Sequence, residues 1–147
     1  MSISQDKNIV RPKVGVGLFL VRENKEILLA KRTASHGQGQ FAGIGGHLEN
    51  GESFEECIMR ELREEAGDDL IIDNLRFLCL SNITSYPPNH YVDIGMTAVY
   101  ISGKAQVMEA DKIENWNWYS IENLPSPLFG STEKYLNSFK SDIKYFS

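Results

Sequence analysis

Three glutamates, Glu61, Glu64 and Glu65, stand three and four residues apart in the stretch RELREEAG. A helix turns about 100° per residue, so that spacing brings the three side chains onto one surface. The same helix gathers Phe54, Cys57, Ile58 and Leu62 in one apolar sector; Glu61 and Glu65 project into that sector, with Glu64 at its edge. A carboxylate on a core-facing stripe loses hydration at considerable cost unless it is paired or binds a metal. A hard divalent cation such as Mg²⁺, which prefers oxygen ligands and is commonly shared between carboxylates and phosphates, meets that need. The glycine cluster Gly43-Ile44-Gly45-Gly46, just upstream, lets backbone groups approach the same ion or its phosphate ligand. The alternative is a solvated helix whose charges serve solubility, with Glu56 and Arg60 as an i,i+4 pair. That two of the acids share the apolar sector weighs against it.

Other chemistries find less support. Ser53 and Cys57 have no base at a recognisable spacing and read as a helix cap and a core residue. Cys57 and Cys79 form no CxxC pair and fit reduced thiols in the cytoplasm. His36, His47 and His90 lack zinc-like spacing. A net charge of -5 argues against a surface for nucleic-acid polymers, although a small anionic ligand is compatible with it when a metal carries the positive charge. No segment approaches the ~20 apolar residues that cross a bilayer, and MSISQDKNIVRPK lacks a signal-like apolar run. The expectation is a cytoplasmic protein with no membrane partner.

The elements that must position these residues follow from pattern. With 147 residues, 41% of them hydrophobic, the chain suits a single domain over 1–147, with residues 1–9 as a flexible N-terminal tail. VGVGLFLV (Val14 to Val21) and ILLAK (Ile27 to Lys31) read as a hairpin, in which Gly15 and Gly17 permit close backbone approach. SHGQGQFAGIGGHLENGES reads as loop, short strand and loop. Ser53 with Glu56 forms a capping box that opens a helix from Phe54 to Ala66, and Gly67 is the left-handed residue expected to end it. Strands follow at Leu75 to Ile83, Tyr91 to Ile101 and Trp116 to Ser120, with a turn at Tyr86-Pro87-Pro88-Asn89 and a last helix over Ser131 to Lys140. Trp116 and Trp118 describe one buried strand face. Glu109, Asp111 and Glu114 read as a solvated acidic loop or as the source of a further carboxylate for the cluster.

Gly46 to Gly67, GHLENGESFEECIMRELREEAG, resembles the signature box of the Nudix hydrolases. Gly46, Glu52, Arg60, Glu61, Leu62, Glu64, Glu65 and Gly67 match its fixed positions, whereas Asp68 replaces the final aliphatic residue. The resemblance implies an α/β fold of α+β type, a mixed β-sheet flanked by helices in an α/β/α sandwich, that binds Mg²⁺ or Mn²⁺ and hydrolyses nucleoside diphosphates linked to another group. Carried over by position, it implies Glu61, Glu64 and Glu65 as metal ligands, with the carbonyl of Gly45 as a further candidate. Glu61 is the first choice for general base among the three. Arg60 and Glu52 resemble an ion pair that fastens the loop to the helix. RPKVGVG, GGHLENGE and ENWNWYSIENLP are similar to the MutT-like nucleoside-triphosphate diphosphatases, which implies a nucleotide substrate, standard or oxidised, cleaved to nucleoside monophosphate and pyrophosphate. The resemblance implies Phe129 as a candidate for stacking on the base, a core role being the alternative; Gly46 and His47 are candidates to approach phosphate, a loop histidine satisfied by backbone being the alternative for His47. The other readings are an ADP-ribose or nucleotide-sugar diphosphatase and a non-catalytic nucleotide sensor on the same fold. The sequence leaves a homodimer open.

Hydrolysis is expected to require added Mg²⁺ or Mn²⁺, because the carboxylate cluster otherwise repels an anionic phosphate. A chelator titration checks this: full activity in metal-free buffer contradicts it.

Overall fold

The computed structural model describes residues 8–147. The tail expected over residues 1–9 therefore lies outside the described residues as far as residue 7. Strands β1 (Lys13–Arg22) and β2 (Glu26–Lys31) form the expected hairpin, and β3 (Phe41–Ala42) and β4 (Gly45–His47) lead into helix α1 (Phe54–Ala66). Strands β5 (Ile71–Tyr86), β6 (Asn89–Ser102) and β7 (Asn117–Ser120) follow, then helix α2 (Gly130–Ser141) and β8 (Tyr145–Phe146). The sheet runs β3-β2-β1-β6-β5-β8, with β4 paired to β1 and β7 to β2. β1 and β6 lie parallel while β5 and β6 are antiparallel, so the sheet is mixed.

Alternation along β1 divides the core between the two faces. Val16, Leu18 and Leu20 pack with Ile58, Leu62 and Ala66 of α1, whereas Phe19 and Val21 pack with Tyr135 of α2, against which Leu136 and Phe139 also lie. Side chains two apart on a strand share a face, so one strand serves both helices and the α/β/α layering follows. Burying a residue such as Ile58 or Leu62 contributes about 1.5–3 kcal/mol each. Among the described residues no helix is long and apolar enough to cross a membrane.

α1 begins where the sequence places it. The Glu56 N–H donates to Ser53 Oγ at 3.0 Å and the Ser53 N–H to Glu56 Oε1 at 3.0 Å, so the capping box is complete; such a cap is worth about 1 kcal/mol. The other end differs from expectation. Gly67 has φ 87° but ψ -175°, an extended positive-φ conformation rather than the left-handed helical one. The chain leaves the helix extended, and the Gln106 N–H closes over the helix end by donating to the Ala66 carbonyl at 2.9 Å. β5 also starts earlier than patterning indicates, and its pairing with β6 slips between Asp73 and Arg76. Such an irregularity breaks the period-two pattern that marks a strand. The loop before α1 holds two short strands instead of one.

Gly17 and Gly95 are partners across the β1–β6 ladder. Together they open the space that the Tyr135 ring fills. A Cβ on Gly17 would approach two Tyr135 ring carbons to 2.9 Å and its hydroxyl more closely still. Gly17→Ala is therefore expected to force α2 outward and destabilise the protein by about 1–3 kcal/mol, as overpacking does. Urea unfolding measures it; an unchanged midpoint would show that α2 accommodates the methyl group freely.

Candidate functional site

Arg60 organises the junction between the loop and α1. Its guanidinium donates to both oxygens of Glu52, from Nη2 to Oε1 at 2.7 Å and from Nε to Oε2 at 3.0 Å. The same group reaches Glu61 Oε1 at 2.7 Å, Glu64 Oε2 at 3.3 Å and the His47 carbonyl at 3.0 Å. The Arg60 bonds hold the Glu52 carboxyl down to about 2. The expected Glu52–Arg60 pair is present, and Arg60 also bridges two of the three acids of the cluster. Glu49 adds its N–H to Glu52 Oε1 at 2.7 Å, so the loop turn is tied from both sides.

The three acids sit at different depths. Glu61 is buried at 9% exposure, Glu65 is partly buried and Glu64 faces solvent. Gly46 makes the room for Glu61: a Cβ there would come within 2.8 Å of Oε2 and closer to Oε1. The Gly45 N–H donates to Glu65 Oε1 at 2.8 Å, so Gly45 meets the cluster through its amide. Burial, together with the charges of Glu61 and Glu109, pushes the Glu65 carboxyl up to about 8 against the pull of the Gly45 amide. The Glu61 carboxyl is raised as well, by burial first, with Arg60 opposing. Among the described residues no three His, Cys, Asp or Glu side chains are already gathered as a metal cage. The donor set nevertheless suits a hard cation: these are oxygen donors, one buried and one partly so, and their repulsion a divalent charge would relieve. Of the acids read as a further source of carboxylate, Glu109 lines the cleft and pairs with Lys112 at 2.9 Å. Asp111 and Glu114 are exposed outside it.

The cluster forms one end of a cleft of about 630 Å³. Rings line the other end. Phe129 stacks on Tyr86 with centroids 5.3 Å apart, and His36 meets both rings edge-on at 5.5 and 4.8 Å. Phe129 thus lines the cleft and is only partly buried. His47 is exposed on the cleft wall, its ring 5.7 Å from that of Tyr91. Arg32 lies between the two ends, its guanidinium 4.7 Å from the Phe129 centroid and its Nε held by the His36 carbonyl at 2.9 Å. Burial lowers its pKa while the Glu65 charge raises it. Lys13, the neighbours Arg32 and His36, and Tyr86 and Tyr91 on either side of one turn escape the sequence reading because they come from three distant stretches and share no recognised spacing. Trp116 and Trp118 pack against the α1 side of the core, and the Trp116 Nε1–H donates to the Glu65 carbonyl at 3.1 Å.

Comparison with known proteins adds to this geometry. The NUDIX domain model matches residues 11–139. The NAD-capped RNA hydrolase NudC of Pseudomonas aeruginosa is 36% identical over 108 residues, 74% of this chain and 36% of that protein. NudC of Stutzerimonas stutzeri is 34% identical over 120 residues, 81% of this chain and 41% of that one. The chain thus spans about two fifths or less of these curated relatives. Among solved structures, a MutT NUDIX hydrolase from Burkholderia pseudomallei superposes with a TM-score of 0.79 at 31% identity, covering 87% of this chain and 98% of that one. The NUDIX domain of Shewanella oneidensis NrtR, solved with ADP ribose, superposes with a TM-score of 0.78 at 18% identity over 95% and 93% of the two chains. That last likeness concerns the fold alone.

Glu65 sets a pH dependence for the metal-free protein. Its carboxyl ionises near 4.5 in the unfolded chain and near 8 in the folded one. The folded state therefore binds the extra proton, and the stability this gives is full below pH 4.5 and lost as pH rises towards 8. In chelator, the melting temperature is expected to fall across that window, and Glu65→Gln to flatten the fall and raise the value at its upper end. Parallel curves for the two proteins would assign the cost to other groups.

Proposed function

The chain belongs to the NUDIX hydrolase family, and from that premise we propose that it is a divalent-metal-dependent pyrophosphohydrolase that cleaves a nucleoside triphosphate to nucleoside monophosphate and pyrophosphate. One observation carries this reading. A single cleft joins the acidic cluster to one group of aromatic rings, with the Arg32 guanidinium between them. That order of charge and rings matches the order of parts in a nucleotide: phosphates over the acids, base among the rings.

Glu61, Glu64 and Glu65 are the residues proposed to hold the Mg²⁺ or Mn²⁺ that enzymes of this family generally use. Bound there, the ion would offset the charge of phosphate oxygens and make water easier to deprotonate. The protein's own groups do the rest. Arg60 keeps Glu52 and Glu61 in place and makes the loop one unit with α1. Arg32 and Lys13, both on the cleft wall, meet phosphate oxygens as donors that carry no exchangeable role in the chemistry. Glu61 is the proposed base, with one of its oxygens held by Arg60 Nη1 at 2.7 Å. Tyr86 and Phe129 hold the base by stacking. No side chain need attack phosphorus, since Cys57 is a buried residue of α1 with its thiol pushed up to about 12, and Ser53 is engaged as a cap.

The likeness to NudC favours, as second reading, a diphosphate that links a nucleoside to a second nucleoside or to a sugar. A single group of rings supports the mononucleotide reading over it. With a nucleoside triphosphate in ¹⁸O-labelled water, the expected early products are monophosphate and pyrophosphate, the label marking whichever phosphorus was attacked. Nucleoside diphosphate with orthophosphate as first products would refute the pose, and faster turnover of NAD or ADP-ribose in the same panel would favour the second reading.

A further inference from the structure

The loop between β2 and β3 is firm at its base and light at its tip. Two backbone bonds close the base: the Arg32 N–H donates to the Gln40 carbonyl and the Gly39 N–H to the Arg32 carbonyl, each at 2.8 Å. Tyr86 fastens it from β5, giving its hydroxyl to Gln40 Oε1 at 3.1 Å while accepting the Gly130 N–H of α2 at 2.9 Å. The Lys112 carbonyl adds a third tie by accepting the Thr33 N–H at 2.8 Å. Between these ties the chain turns through Ser35, His36, Gly37 and Gln38, with φ 69° at Gly37. Glycine adopts that conformation at little cost.

The tip rests on rings. His36 lies edge-on to Tyr86 and Phe129 at 4.8 and 5.5 Å, and 5.6 Å from Tyr91. Gly37 comes so near Phe129 that a Cβ there would stand 2.5 Å from the ring. Burial first, then the charges of Arg32 and His47, lowers the His36 pKa below the usual histidine value, so the ring meets its neighbours uncharged at neutral pH. Among the described residues no hydrogen bond crosses from residues 35–38 to β5, β6 or α2. A segment seated by so few polar bonds opens locally at low cost.

One side chain ties this tip to the rest of the cleft. Arg32 donates from Nε to the His36 carbonyl at 2.9 Å, and its guanidinium lies over Phe129. A guanidinium carries five N–H donors in a rigid fork. Nε serves the tip, whereas the four donors on Nη1 and Nη2 have no acceptor among the described residues. The side chain is half-buried on the cleft wall. An anion on that free edge would fix the plane of the fork, and the direction of the Nε–H is fixed with it. Occupancy of one edge therefore sets how well the other edge holds the loop.

We propose that residues 35–38 are a lid over the ring-lined end of the cleft, and that an anion on the free edge of Arg32 closes it. This rests on the reading of the cleft as a phosphate site and holds for any base. Phosphate at one end then orders the other, and by reciprocity a closed lid strengthens the hold on phosphate. A probe without a nucleoside tests it. Hydrogen exchange of the full chain is followed by mass spectrometry in Mg²⁺ buffer, with and without inorganic pyrophosphate, whose binding is recorded by calorimetry. Peptides spanning residues 35–38 are expected to exchange about tenfold or more slowly with pyrophosphate bound. Arg32→Lys keeps the charge on a single amine and has no second edge, so at matched saturation its protection is expected to fall to within about twofold. If Arg32→Lys does not fold or does not bind, the wild-type exchange decides alone. Pyrophosphate bound with the tip unprotected, or protection kept in folded Arg32→Lys, overturns the lid. Absence of pyrophosphate binding removes both the lid and the phosphate reading. Triphosphate hydrolysis is measured in parallel: protection without turnover sustains the lid and removes the proposed reaction, whereas turnover with an unprotected tip does the reverse.

Discussion

The guanidinium of Arg60 is the contact on which the rest of the site depends. It is a planar fork in which two edges of donors face Glu52 on one side and Glu61 and Glu64 on the other, with the His47 carbonyl between. A lysine would bring one charge but no second edge, and could not hold loop and helix at once. Because Arg60 sits inside the acidic row, it also limits the repulsion that Glu61 and Glu64 exert on each other. The loop from Gly45 to Glu52 is fixed to α1 through this one group, and the depth at which Glu61 and Glu65 sit follows from that attachment.

The sheet separates two tasks. α1 and its loop cover one face and supply the acids; α2 covers the other and supplies Tyr135 and the turn that presents Phe129. The cleft opens where the two sides meet, at the start of β1 and of β6, and there glycines replace side chains at Gly15, Gly17 and Gly95. Small residues on these strands thus shape the cleft as much as the packing. Substitutions on the α2 side can therefore alter which ligand fits while the acids keep their arrangement.

Local chemistry explains what was legible. α1 was readable to the residue at its start because Ser53 and Glu56 cap each other through bonds three residues apart. The box from Gly46 to Gly67 carries its meaning in fixed offsets, so the acids and Arg60 stood out. Gly67 was readable as a helix end but not in its conformation, which depends on Gln106 closing from a distant segment. The ring-lined end was almost invisible. His36, Tyr86, Tyr91 and Phe129 come from three distant stretches that only the folded sheet brings together, and Phe129 alone was picked out, through family resemblance. Asp93 was hidden for the same reason: within YVDIGM it is one polar residue in a strand, and the Tyr135 hydroxyl that bonds it comes from far away in sequence.

The parallel pairing of β1 with β6 has a consequence for how the protein is made. Thr97 Oγ1 bonds the Phe19 carbonyl across 78 residues, and nine successive ladder partners share that separation. Contacts so distant along the chain close late and slow folding. On a ribosome, β1, the loop and α1 emerge well before β6, so the acidic row is synthesised ahead of the strand that completes its support. Nascent chains of this protein must therefore hold the apolar faces of β1 and α1 in waiting until β6 has appeared.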